Sequence, residues 1–181
     1  MTIPNILSLF RLALVPCFPI MFFSGTPRAR TYAVLIYILA SFTDVLDGFI
    51  ARHYHMVSRL GRVLDPLADK LMAFTVLTCI AVSRIVPPWA VLIFFCKEIL
   101  MGIGALTLYR KIDDVIPSNW LGKGAGAFFF IICICLLIFP QIPPAWAIIL
   151  ICFALALNLI AFFNYLWIYI QKMNQSTESQ S

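Results

Sequence analysis

Six apolar stretches, each about as long as a helix that crosses a membrane, divide this sequence. A helix needs about 20 mostly apolar residues to cross the hydrocarbon core of a bilayer, and it satisfies its own backbone hydrogen bonds there. The sequence therefore predicts an all-α integral membrane protein with six transmembrane helices and a cytoplasm-facing polar active-site cavity. The stretches cover approximately residues 6–23, 31–50, 63–82, 89–109, 120–139 and 145–170.

The composition excludes most other classes of protein. Hydrophobic residues make up 62% of the 181 residues and charged residues only 12%, whereas a soluble domain has about a quarter of its residues charged. This excludes a soluble enzyme, a disordered chain and a secreted disulfide scaffold, and no basic stripe suggests a nucleic-acid partner. We expect one membrane domain over residues 1–170, followed by a polar tail over 171–181 that frays.

The basic residues are unevenly distributed between the two sides of the predicted bundle. Seven lie on or near the second and fourth connections and after the last stretch, against three on the opposite side. Lys and Arg accumulate on cytoplasmic loops, so both termini and the active site are expected to face the cytoplasm from the plasma or inner membrane. The seven are Arg52, Arg59, Arg62, Arg110, Lys111, Lys123 and Lys172, and the three are Arg28, Arg30 and Arg84.

Four carboxylates lie at the ends of predicted transmembrane helices, where charged groups are unfavourable. Asp44 and Asp47 close the second stretch, and Asp65 and Asp69 open the third. An ionisable group inside a membrane segment costs about 2.5–3.5 kcal/mol even on insertion scales. Four negative charges within reach of one another also repel, so something must compensate them.

The spacing of these carboxylates predicts how they are arranged. Asp44 and Asp47 are three residues apart, and Asp65 and Asp69 are four apart, so each pair shares one helix face. The two helices are joined by a short connection, and we expect them to be antiparallel neighbours whose acidic faces meet near the cytoplasmic surface. All-oxygen ligands suit a hard ion such as Mg²⁺, Mn²⁺ or Ca²⁺ and not zinc. Such an ion in turn suggests a substrate that carries phosphate.

The residues between the two pairs fit a phosphate-bearing ligand. Gly48 and Ala51 leave a shallow surface on which a flat group can approach the backbone, and Gly61 opens the next helix without a side chain. Arg52 can hold a phosphate through two parallel hydrogen bonds. Each feature has a plainer explanation by itself, since a lone Asp often caps a helix and Gly-x-x-Ala often packs helices. Their combination favours a site.

Written as Asp44-x2-Asp47-Gly48-x2-Ala51-Arg52-x8-Gly61-x3-Asp65-x3-Asp69, the segment matches the signature of the CDP-alcohol phosphatidyltransferase family at every defined position. The sequence resembles that family over most of residues 3–170, in length and in number of apolar stretches. Its opening, residues 5–11, is similar to the start of the phosphatidylglycerophosphate synthases within the family.

The resemblance implies a metal-dependent transfer reaction. An acceptor hydroxyl attacks the β-phosphorus of CDP-diacylglycerol, CMP leaves, and a phosphodiester forms. The four Asp residues would bind one or two divalent ions, Mg²⁺ or Mn²⁺, and Asp69 would also be the general base. Gly48, Ala51 and Gly61 would line the cytidine pocket, and Arg52 would hold the diphosphate. A homodimer in a lipid membrane is implied as well.

The acceptor is the least constrained part of this expectation. The resemblance favours glycerol-3-phosphate, a small dianion that needs basic residues, for which the candidates are Lys97, Arg110 and Lys123. Lys123 follows Gly122 as in the phosphatidylglycerophosphate synthases, but the second Lys and the Thr that usually come next are replaced by Gly124 and Ala125. The alternatives are a CMP-forming cardiolipin synthase, with phosphatidylglycerol as acceptor, or another member of the family.

A function of another class is a non-catalytic transporter that uses the acidic cluster as an ion site. Transporters place such sites near the bilayer midplane, between paired broken helices. Here both Asp pairs lie at helix ends, so the sequence favours the enzyme. Release of CMP from CDP-diacylglycerol discriminates between the two.

Overall fold

The computed structural model describes residues 3–53, 61–112 and 120–178. These residues form helices and turns, with no strand among them, which confirms the predicted all-α class. The helices are α1 (Ile3–Phe22), α2 (Ala29–His53), α3 (Gly61–Val82), α4 (Pro88–Ile112), α5 (Trp120–Ile138) and α6 (Pro144–Glu178).

Within the described residues, four helices are long and apolar enough to cross a membrane: Asn5–Phe22, Ala29–Ile50, Trp120–Ile138 and Pro144–Ile168. Large apolar side chains such as Phe42, Leu92 and Phe153 are more than half exposed. Surface of this kind suits contact with lipid, and it agrees with the predicted membrane protein. The predicted number of six spans and the cytoplasm-facing cavity remain predictions.

The helix bounds agree with the sequence prediction to within a few residues except at the carboxyl end. The sequence predicts a polar tail from residue 171 that frays, and in the structure α6 continues through this tail to Glu178. This segment contains neither Pro nor Gly, and a helix that is already formed gains one hydrogen bond for each residue added.

The end of α3 shows why the chain turns where it does. The amide of Ile85 donates to the carbonyl of Ile80 at 3.2 Å, and the amide of Arg84 donates to that of Ala81 at 2.9 Å. Arg84 adopts a φ of 58°. These are the two hydrogen bonds and the left-handed residue of a Schellman motif, which satisfies the last carbonyls of a helix.

The chain divides into two compact units, and the first contains residues 1–85 and 133–141. In this unit α1 packs along both α2 and α3, whereas α2 and α3 touch each other over a much shorter stretch. The ring of Phe18 contacts that of Tyr37 edge-on, with 6.3 Å between centroids. The two helices predicted as direct neighbours are therefore joined mainly through α1.

The second unit contains residues 86–132 and 142–181. In it α4 packs against α6. The rings of Phe94 and Phe129 stack with 4.7 Å between centroids, and Phe128 meets Phe153 edge-on at 5.3 Å. These aromatic contacts join α5 to both α4 and α6.

Candidate active site

The two carboxylates of α2 are joined by a guanidinium group from α1. Arg11 donates from Nη1 to Asp44 Oδ1 and from Nη2 to Asp47 Oδ2, each at 2.5 Å. Both bonds are charge-assisted and stronger than bonds between neutral groups. The bond to Asp47 is shielded from water, since Arg11 is 1% and Asp47 2% exposed, whereas the side chain of Asp44 is 42% exposed. Arg11 therefore fixes the positions of Asp44 and Asp47 relative to each other.

The same face of α1 also holds the first carboxylate of α3. The hydroxyl of Ser8 donates to Asp65 Oδ1. Ser8 lies three residues before Arg11, and Asn5 three residues before Ser8, so all three share one side of the helix. All three are buried in an otherwise apolar helix. We call Asn5, Ser8 and Arg11 the polar face of α1; it binds both halves of the acidic motif.

Asp69 is the most exposed of the four carboxylates, although the side chain of Asp44 is also 42% exposed. The side chain of Asp69 is 53% exposed, and its nearest described partner is the amine of Lys70, 3.8 Å from Oδ2. An exposed ion pair of this kind contributes little to stability. Asp69 is therefore free to meet a ligand from solution, as a general base must.

The four carboxylates form one electrostatic cluster. Asp65 and Asp69 lie close enough to Asp44 for their negative charges to act on it, and Asp65 acts in the same way on Asp47. Hard oxygen ligands and an excess of negative charge fit a divalent cation such as Mg²⁺ in their chemistry. Among the described residues, however, no three His, Cys, Asp or Glu side chains are gathered closely enough to hold a metal ion. Arg11 and Ser8 contact three of the four carboxylates.

The remaining residues of the motif lie on the same helices. Gly48 is half-buried on α2, one residue after Asp47, and Gly61 is the first residue of α3. The side chains of Ala51 and Arg52 lie outside the described part of the structure. The assignment of these residues to a CDP-lipid pocket therefore stays a prediction.

Among the acceptor candidates, Lys97 is engaged inside the second unit. Its amine donates to Asn158 Oδ1 at 3.2 Å and lies 2.5 Å from Glu98 Oε1, and Lys97 is 5% exposed. Asn158 Nδ2 donates to the carbonyls of Ala125 at 3.2 Å and Ala154 at 3.0 Å. This buried network connects α4, α5 and α6, and it gives Lys97 a structural role.

The other two acceptor candidates are placed differently. Lys123 is exposed near the start of α5, with its amine 5.7 Å from the centroid of the Trp120 ring. Arg110 belongs to α4, but its side chain lies outside the described residues. Of the three, Lys123 is the one whose described position leaves the charge accessible to a ligand.

The network around Lys97 leads to a stability prediction. Replacing Asn158 with Ala removes the acceptor of the Lys97 amine and leaves the Ala125 carbonyl without this partner, so the free energy of unfolding should fall by about 1–3 kcal/mol. Equilibrium unfolding in mixed detergent micelles measures it. The same substitution at Asn164, six residues further along α6, is the control and should change the value by less than about 0.5 kcal/mol. Equal losses in the two variants would contradict the proposed role of the network.

Sequence reasoning did not assign Ser8 and Arg11 a part in this site. The signal was present, because an arginine inside an apolar helix must find a partner, and Asn5, Ser8 and Arg11 follow one another at intervals of three. Asn158 gave a similar signal as a polar residue inside an apolar helix, but its partner Lys97 is 61 residues away and could not be identified from the sequence.

Comparison with known proteins agrees with this site. The sequence profile of the CDP-alcohol phosphatidyltransferases matches residues 1–163, a range that contains the whole acidic motif and five complete helices. A putative cardiolipin synthase of Mycobacterium tuberculosis is 32% identical over 177 residues, which covers 98% of this chain and 83% of the relative.

Two shorter matches are named for two different reactions of the family. A CMP-forming cardiolipin synthase of Streptomyces coelicolor is 37% identical over 128 residues, covering 69% of this chain and 60% of the relative. A CDP-diacylglycerol–glycerol-3-phosphate 3-phosphatidyltransferase of Rickettsia bellii is 36% identical over 121 residues, covering 67% of this chain and 66% of the relative. Together with the apolar helices, these matches indicate a transferase enzyme that is a multi-pass membrane protein. The chain belongs to the CDP-alcohol phosphatidyltransferase family.

Proposed function

We propose that this enzyme transfers the phosphatidyl group of CDP-diacylglycerol to the hydroxyl of glycerol-3-phosphate, releasing CMP. The observation that carries this proposal is the acidic pair Asp44 and Asp47, which Arg11 holds together within the family motif. Asp65 is bound to the same face of α1. The acidic ends of α2 and α3 thus lie around one helix, as a shared site for a charged headgroup requires.

We propose that Asp44, Asp47, Asp65 and Asp69 hold Mg²⁺ or Mn²⁺, as one or two ions. Their oxygen donors and surplus negative charge suit such ions. When bound, the cation would neutralise the diphosphate of the CDP-lipid and stabilise the charge that develops on the CMP leaving group.

Asp69 is proposed as the general base. Its exposed carboxylate accepts the proton of the acceptor hydroxyl while the hydroxyl oxygen forms its bond to the β-phosphorus and the bond to CMP breaks. A carboxylate is a weak base, but here it need act only while the oxygen–phosphorus bond forms. The buried Asp47, by contrast, is already bound by Arg11 and is poorly placed for proton transfer.

The CDP-lipid is proposed to bind beside these carboxylates. Gly48 lies next to Asp47 on α2, and Gly61 lies four residues before Asp65 on α3. Positions without bulky side chains let the cytidine approach the backbone, with Ala51 completing this surface. Arg52 is proposed to bind the diphosphate through charge-assisted hydrogen bonds.

Glycerol-3-phosphate is the preferred acceptor because a relative named for that reaction matches two thirds of the chain. The exposed amine of Lys123 is proposed to bind its phosphate, with Arg110 as the second candidate. Phosphatidylglycerol is the alternative acceptor, since the relative that matches almost the entire chain is named a putative cardiolipin synthase. Because the amine of Lys97 is bound to Asn158, fewer cationic side chains are left to bind the glycerol-3-phosphate dianion.

We further propose that the enzyme lies in the cell membrane as a homodimer, surrounded by lipid, with both termini and the active site on the cytoplasmic side. The excess of basic residues on the connections before α3 and before α5 supports this orientation. It places the site where soluble glycerol-3-phosphate and released CMP are found.

An acceptor panel tests the proposed reaction. Purified enzyme in detergent is given radiolabelled CDP-diacylglycerol with glycerol-3-phosphate, phosphatidylglycerol, inositol phosphate or serine, and CMP release is measured. Glycerol-3-phosphate should be used at least about tenfold faster than the others, because polar contacts fitted to its glycerol and phosphate groups are incomplete with the other acceptors. If CMP is released fastest with phosphatidylglycerol, that lipid replaces glycerol-3-phosphate as the proposed acceptor. No release with any acceptor would contradict transfer and favour the transporter.

A further inference from the structure

One cation at the acidic site is a side chain of the protein itself. Arg11 contributes one positive charge that two carboxylates share through two hydrogen bonds of 2.5 Å. A divalent ion at the same oxygens would supply two positive charges instead of one. A side chain of α1 therefore neutralises part of the negative charge of Asp44 and Asp47.

The bonding of Arg11 is incomplete in one respect. Its Nε is buried and has no hydrogen-bond partner among the described residues. A buried donor without a partner is unfavourable because it has lost its water without compensation. Attraction to Asp44 and Asp47 therefore holds Arg11 in place, and this attraction weakens when another cation takes up their charge.

Asp44 and Asp47 cannot bind both the Arg11 guanidinium and a divalent ion without weakening one of the two interactions. A divalent ion at Asp44 and Asp47 would lie within a few ångströms of the guanidinium, where like charges repel strongly in a buried environment. Binding of the ion must therefore work against Arg11, either by displacing it or by sharing the carboxylate oxygens with it.

We infer that Arg11 is a built-in counter-ion: it keeps Asp44 and Asp47 together in the metal-free protein and competes with the divalent cation for them, which weakens metal binding. This inference rests on the proposed metal site. It makes Arg11 a positioning residue, because it acts on the reaction through Asp44 and Asp47 and not by contact with substrate.

Titration with Mn²⁺, followed by electron paramagnetic resonance of the free ion, tests this competition on the metal-stripped full-length protein in detergent. Arg11→Met removes the charge and should lower the Kd for Mn²⁺ at least about tenfold. Arg11→Lys keeps the charge but loses the planar two-point contact, so its Kd for Mn²⁺ should lie between the values of the parent and of Arg11→Met. Arg30→Met is the matched control, since Arg30 is exposed on α2 and should not affect the Kd.

A second measurement uses the unaltered chain, in case Arg11→Met does not fold. With ¹⁵N-labelled arginine side chains, the buried Arg11 guanidinium should give an NMR signal that shifts when Mg²⁺ is added. The exposed Arg30 should give a signal that does not shift. An unchanged Arg11 signal at a Mg²⁺ concentration that restores activity would overturn the inference.

The two proposals fail in different ways. Mn²⁺ binding by the parent chain, with equal or weaker binding by a folded Arg11→Met variant, overturns the counter-ion role and leaves the metal site intact. No Mn²⁺ binding by the parent chain or any variant overturns the metal site and the counter-ion role together.

Discussion

Replacing Asp69 with Asn is expected to slow CMP release from CDP-diacylglycerol by about 10²–10⁴-fold, the range that a positioned general base contributes. The amide cannot accept the proton of the acceptor hydroxyl. Binding of the CDP-lipid should stay measurable, because Asp44 and Asp47 are held by Arg11 independently of Asp69. Single-turnover assays measure the chemical step, and equilibrium binding of labelled CDP-diacylglycerol measures the affinity.

The matched control is Asp114→Asn, the same chemical change outside the acidic motif. It should leave both the rate and the affinity close to those of the parent enzyme. A rate for Asp69→Asn within threefold of the parent would remove the assignment of the base. Loss of CDP-lipid binding together with the rate would instead give Asp69 a role in binding.

Removal of divalent cations with EDTA is expected to stop CMP release, and added Mg²⁺ or Mn²⁺ should restore it. Metal ions contribute several kcal/mol of charge stabilisation to such transfers, so the rate should fall about 10³-fold or more. Zn²⁺, which favours nitrogen and sulfur ligands, should restore the rate poorly. A rate that EDTA leaves unchanged would contradict the proposed metal site.

The control for this experiment is the folded state of the stripped protein. Because Arg11 and Ser8 bind three of the four carboxylates without metal, EDTA should leave the midpoint of thermal unfolding nearly unchanged. If the protein unfolds in EDTA, the ion has a structural role. The loss of activity would then not show that the ion takes part in catalysis.

Much of the fold could be predicted because membrane-spanning length and turn chemistry are local properties. The apolar stretch predicted over residues 120–139 is α5 over Trp120–Ile138, and the one over 63–82 is α3 over Gly61–Val82. The continuation of α6 to Glu178 could not be predicted from polarity, since polar residues form helices readily when a helix already precedes them.

The candidate site could be predicted in part. Helical spacing correctly placed Asp44 and Asp47 on one face, where a single guanidinium reaches both. Helical spacing did not show that α1 packs along α2 and α3. Packing between distant segments depends on complementary surfaces and not on sequence adjacency. The partner of Asp65, Ser8, is 57 residues away.

The depth of Arg11 in α1 bears on how the chain enters the membrane. Arg11 is the ninth of the twenty residues of this helix, and an arginine at that depth opposes insertion by about 2.5–3.5 kcal/mol. Its compensating charges arrive only with the second helix, since Asp44 and Asp47 lie in its last three turns. The first segment is thus a weaker anchor than its apolar length suggests, and the pairing of Arg11 with α2 favours insertion of the two helices together as a hairpin.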